Sequence, residues 1–126
     1  MANTTGTQNT AVGYQSALAV STGSSNTLLG YQAAAGSITA SNNVAIGTQT
    51  SVGSTGGNNT VVGTAASTAG HSGSIVIGHN ALASGPNQFV VGSVGTISGT
   101  VTAAVAPQTK TWDVIINGVA QKILLA

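Results

Sequence analysis

Side chains able to do chemistry are scarce in this 126-residue chain, and they do not converge. The imidazoles are His71 and His79, eight residues apart and at different positions of the repeat described below. A symmetry axis could gather one of them from several copies around a metal, but a satisfied or exposed histidine is the simpler expectation. Gly70-His71-Ser72-Gly73 has the look of a nucleophile elbow with the wrong spacing and no carboxylate near it. Asn3-Thr4-Thr5 and Asn58-Asn59-Thr60 match the glycosylation sequon, as short Asn/Thr-rich text readily does. The charged side chains are Lys110, Asp113 and Lys122, so residues 1–109 carry no Lys, Arg, Asp or Glu. A catalytic acid/base pair, a carboxylate cation cage and a basic nucleic-acid footprint all need what that stretch lacks. We therefore expect no enzyme, no cofactor, no metal site and no nucleic-acid partner.

Bulk composition narrows the class. Charged residues make up 2% of the chain, against about 25% in an average domain. With no Cys there is no disulfide framework, and a net charge of +1 gives no steering toward an anionic surface. No apolar run approaches the roughly 18 residues that would span a bilayer. Met1-Ala2-Asn3-Thr4-Thr5-Gly6 shows no basic patch leading into an apolar segment, so no secretory signal is expected.

The elements that position these residues are repeats. Asn9-Thr10-Ala11-Val12-Gly13 recurs as 26–30, 43–47, 59–63, 74–78 and 88–92, each ending on a glycine. The glycines Gly13, Gly30, Gly47, Gly63, Gly78 and Gly92 are spaced by 17, 17, 16, 15 and 14 residues. Val, Ile and Thr favour a strand, and glycine supplies the freedom of a sharp corner. Further short segments such as Ala17–Val20 and Ser37–Ala40 predict a second strand per repeat. The pattern predicts an all-β chain, a parallel β-solenoid (β-roll) of about six coils. At a coil spacing of roughly 4.8 Å the rod would be on the order of 29 Å long.

Columns through the repeat suggest which side faces where. The residue before the glycine is always a sizeable aliphatic, Val12, Leu29, Ile46, Val62, Ile77 or Val91, and is expected to fill the lumen. One residue earlier stand Ala11, Leu28, Ala45, Val61, Val76 and Val90, which strand alternation then turns outward. A strand that is apolar on both faces needs cover on both, so this second column is expected to meet other copies of the chain in a homo-oligomer, a trimer being the natural count. Asn9, Asn26, Asn43 and Asn59 form a row expected to be a hydrogen-bonded amide ladder. Tyr14-Gln15 and Tyr31-Gln32 form a strip that could contact a sugar or peptide, or pack between chains.

Asn-Thr-Ala-Val-Gly-Tyr-Gln-Ser-Ala at 9–17 and Asn-Asn-Val-Ala-Ile-Gly at 42–47 resemble head repeats of YadA-like trimeric autotransporter adhesins. They are also similar to repeats of phage and viral tail-fibre proteins, over about residues 9–96. The resemblance implies a trimer of left-handed parallel β-rolls that attaches to surfaces and has no enzymatic activity. An unidentified surface receptor or glycan would be the partner, and the place extracellular or on a virion surface. No stretch of these residues reads as the autotransporters' signal peptide, heptad stalk or membrane-anchor barrel, so a fibre or filament subunit is the expectation. The alternative is a ligand-array solenoid of ice-binding type. Its required Thr column, Thr10, Thr27, Val44, Thr60, Ile75, Phe89, is broken three times.

Four regions follow: a lead-in at 1–8, the solenoid at 9–98, a linker at 99–109 and a C-terminal element at 110–126. In the last, Asn117-Gly118 between two β-rich runs signals a hairpin, because both turn positions need φ > 0. The turn sets Asp113 opposite Lys122 and Trp112 opposite Ile123. An isolated hairpin is marginal, so we expect it to cap the rod and register its chains, or to dock chains end to end in a filament.

Overall fold

Three residues of each repeat form a strand: β1 (Thr10–Val12), β2 (Thr27–Leu29), β3 (Val44–Ile46), β4 (Thr60–Val62), β5 (Ile75–Ile77) and β6 (Phe89–Val91). They build one parallel sheet in sequence order. Registers are in phase throughout, with Thr10 beside Thr27, then Val44, Thr60, Ile75 and Phe89. The computed structural model describes residues 4–36, 38–92, 110–116 and 119–125, the last two segments as backbone alone. The chain is a β-solenoid of about five turns, and no helix occurs among the described residues. Backbone bonds run along its axis, as from Thr10 N–H to the Asn26 carbonyl and from Gly30 N–H to the Val12 carbonyl, both 2.8 Å.

Glycine is required at the corner that follows each strand. Gly13, Gly30, Gly47 and Gly63 have φ between 129° and 138°, and a Cβ on any of them would strike the backbone of the next coil's glycine. A second corner holds Gln15, Gln32, Gln49, Ala65 and Asn80 at φ of 53–55°. Ala17, at φ 52°, puts left-handed backbone inside the first of the expected second strands, and the second strand expected in each coil is reduced to isolated bridges. These join Val20 to Ile38, Ser51 to Ser67 and Ser67 to Leu82.

The two faces of the sheet are reversed from the sequence expectation. Leu28, Ala45, Val61 and Val76 are at most 1% exposed and fill the lumen, with Ala11 and Val90 packed against them at the ends. They are therefore core and not the inter-chain column. Val12, Leu29, Ile46, Ile77 and Val91 lie on the outside, with Val62 half-buried between them, and are not the lumen core. The reason is parity. Each ladder asparagine stands two residues before the middle strand residue, so the two share a face. Asn26, Asn43 and Asn59 are buried where their amides reach the backbone, and that draws Leu28, Ala45 and Val61 inward. A coil of 14–17 residues also encloses a narrow space, which is filled by Ala and Val together with one leucine and one isoleucine.

The C-terminal hairpin pairs β7 (Lys110–Ile116) with β8 (Val119–Leu125) antiparallel. Its register sets Trp112 opposite Ile123 and Asp113 opposite Lys122, as the Asn-Gly turn predicts. The turn residues Asn117 and Gly118, the 99–109 linker and the solenoid's expected end at 93–98 lie outside the described residues, as do residues 1–3 of the lead-in.

Candidate interaction surface

A row of amides holds the coils in register. Asn9 Oδ1 accepts from Asn26 N–H and Asn26 Nδ2 at 3.0 and 3.1 Å. Asn26 Oδ1 takes the same two bonds from Asn43. Asn43 Oδ1 accepts Asn59 N–H at 3.0 Å, and Asn59 Oδ1 accepts Ser74 N–H at 2.8 Å. Each rung satisfies a buried backbone donor that would otherwise cost about 1–3 kcal/mol. The ladder expected from the sequence is present, and it lies inside the coil.

With the lumen filled from one face of the sheet, the other face is left to solvent. It carries two columns. Val12, Leu29, Ile46, Val62, Ile77 and Val91 run down one side, with Val12 56% and Val91 67% exposed. Thr10, Thr27, Val44, Thr60, Ile75 and Phe89 run down the other, polar at first and apolar by the last two coils. Ile75, Ile77, Phe89 and Val91 therefore make a four-residue apolar patch on adjacent strands.

Beyond the glycine corner, the Tyr14 and Tyr31 rings stack with centroids 5.7 Å apart and planes inclined by 12°. Beside them Gln32 Nε2 donates to Gln15 Oε1 at 2.7 Å, and Gln49 Nε2 to Gln32 Oε1 at 3.3 Å. Both rings are well exposed. This strip is a second, polar-aromatic surface around the corner from the aliphatic one.

His79 occupies the position of Tyr14 and Tyr31, four and three coils later, exposed, with its Nε2 2.9 Å from Asn80 Nδ2. His71 lies on a different turn, half-buried, where its carbonyl accepts Asn59 Nδ2 at 2.9 Å. The two do not share a site. A shallow groove of about 190 Å³ lies between Ala34, Gly36, Ile38, Ser51, Val52, Gly53 and Ser54. None of its lining side chains titrates near neutral pH. Sequence reasoning missed Thr50 and Thr68, whose hydroxyls are buried in the lumen with no hydrogen-bond partner among the described residues. Each stands on an inward column otherwise held mostly by Ala or Val, which signals its burial but not its bonding. Comparison with protein-family models, with curated proteins and with solved structures finds no match, and the site is read from its own geometry.

Proposed function

We propose that this chain is a non-enzymatic structural subunit of a fibre or filament, of adhesin-head or tail-fibre type, that serves attachment or appendage assembly. Its copies associate side by side, three being the count that the resemblance to trimeric heads favours. The observation that carries this reading is the unbroken outward aliphatic column Val12, Leu29, Ile46, Val62, Ile77, Val91. A second copy lying parallel presents the same column at the same coil spacing, so side chains can interdigitate at every level. Burying each such side chain contributes roughly 1.5–3 kcal/mol. The hairpin, by this reading, closes the rod and registers the chains.

Native mass spectrometry and light scattering test it. The full chain is expected at three times its own mass, and the double variant Ile46→Gln, Ile77→Gln at one, with its β circular dichroism intact. A stable monomer from the unaltered chain would overturn the proposal.

A further inference from the structure

The two ends of the solenoid are chemically different. In a parallel ladder the N–H and C=O of one residue point to the same neighbour, and successive residues alternate. Thr10 N–H and the Val12 carbonyl point to β2, so the N–H groups of Asn9, Ala11 and Gly13 point the other way, off the free edge of the sheet, while the Gly13 carbonyl accepts Ser16 N–H at 3.2 Å. The side-chain rows end open on that side as well. Asn26 and Asn43 each give a backbone N–H and an Nδ2 hydrogen to the amide oxygen one coil above. Asn9 Nδ2 gives one hydrogen to the Gly23 carbonyl at 2.8 Å, as Asn26 does to Ala40, and the Asn9 N–H and second Nδ2 hydrogen are addressed to an oxygen that none of the described residues supplies. Gln15 accepts from Gln32, which leaves the Gln15 Nε2 as the row's next donor. The Tyr14 ring covers Tyr31 and turns its own outer face to solvent, 68% exposed against 47%.

At the other end all three rows have stopped. Ser74 replaces the ladder asparagine, and its Oγ accepts Gln88 N–H at 3.2 Å. The Gln88 Oε1 then folds back to take the N–H groups of Ser84 and Gly85, at 2.9 and 3.2 Å, and offers nothing onward. The glutamine row gives way to Ala65 and the tyrosine row to Thr48.

We infer that the N-terminal end of the solenoid is a docking edge for one segment of another polypeptide. That segment carries Asn-x-x-x-Gly-Tyr-Gln and adds in parallel over the strand and glycine corner of the first coil, stopping short of the chain's own Thr4–Gln8, which already cover Ser21–Ser25. Its asparagine Oδ1 receives the Asn9 N–H, its glutamine Oε1 receives Gln15 Nε2, and its tyrosine stacks on Tyr14. Its glycine is needed because a Cβ there would meet the Gly13 carbonyl, as a Cβ on Gly13 would meet that of Gly30. This is strand addition to an exposed edge, made directional by the rows. It uses the end of the rod and not its flank, so it stands or falls separately from lateral association.

The experiment is amide hydrogen exchange on the full chain, read residue by residue by NMR, with a synthetic peptide copying residues 26–36, which ends before the level that Thr4–Gln8 occupy. Exchange at Asn9 and Ala11 is expected to slow by roughly tenfold or more, with Phe89 and Val91 unchanged. Peptides carrying Asn26→Val or Gly30→Val are expected to give no protection. Unchanged exchange at Ala11 with the unaltered peptide, equal protection by the variant peptides, or protection at Phe89 each overturns the inference.

Discussion

The coils around β1 to β3 follow one another at 17 residues, whereas the last two spacings are 15 and 14. The early coils carry continuous rows of asparagine, glutamine and, for two coils, tyrosine. In the late coils those rows have gone, Ser74 and Gln88 stand in the ladder, and Ile75 and Phe89 replace threonine on the outer face. Yet the backbone register is the same, with Val76 beside Val90 as Ala11 is beside Leu28. Strand bonds and the glycine corner are thus enough to define the coil. Side-chain rows add axial cohesion at one end, and apolar exposure replaces them at the other.

The contrast can be broken most severely at the glycines. Gly30→Ala puts a methyl group onto the Gly47 backbone at a φ of 134° and is expected to cost more than about 3 kcal/mol. Gly78→Ala meets the Gly92 nitrogen at 3.1 Å instead. Backbone strain alone should then cost about 1–3 kcal/mol. Urea unfolding followed by far-UV circular dichroism measures both, and equal losses would show that the late coils are as tightly stacked as the early ones.

The next largest effect is in the ladder. Asn43→Val leaves Asn59 N–H buried without its acceptor, a loss of about 1–3 kcal/mol. Ser74→Ala removes a longer bond from the half-buried Gln88 N–H and is expected to cost about 0.5–1 kcal/mol. The smallest effect has the opposite sign. Thr50→Val and Thr68→Val each remove an unsatisfied buried hydroxyl and should raise stability by about 1 kcal/mol. Midpoint shifts in the same urea titrations check all four substitutions, and a destabilised Thr68→Val would mean that its hydroxyl has a partner.

Much of this was legible in the residues. Repetition of Asn-x-x-x-Gly announced stacked coils, and the fixed place of asparagine announced the ladder. The reversal of the sheet's faces was the failure, and its cause is instructive. Size argued that Leu29 and Ile46 should be inside and Ala11 and Ala45 outside, but a lumen this narrow prefers the smaller column. The deciding clue was already in the spacing, since an asparagine bonded to buried backbone must share a face with the residue two places on. Neither the second corner nor the orphan hydroxyls had such a clue. Gln15, Gln32 and Ala65 do not advertise a left-handed backbone, and a threonine among alanines says nothing of its bonding.

Local preference and repetition determined the strands, their glycine corners, the parallel stacking and the in-phase columns, because each depends only on residues recurring at matched positions. The tertiary structure decided which column the coil encloses. That choice depends on lumen width and on where buried backbone donors find their acceptors, quantities that exist only once the chain has closed on itself. It moved the exposed aliphatic column from Ala11–Val90 to Val12–Val91, and with it the surface on which other copies are proposed to assemble.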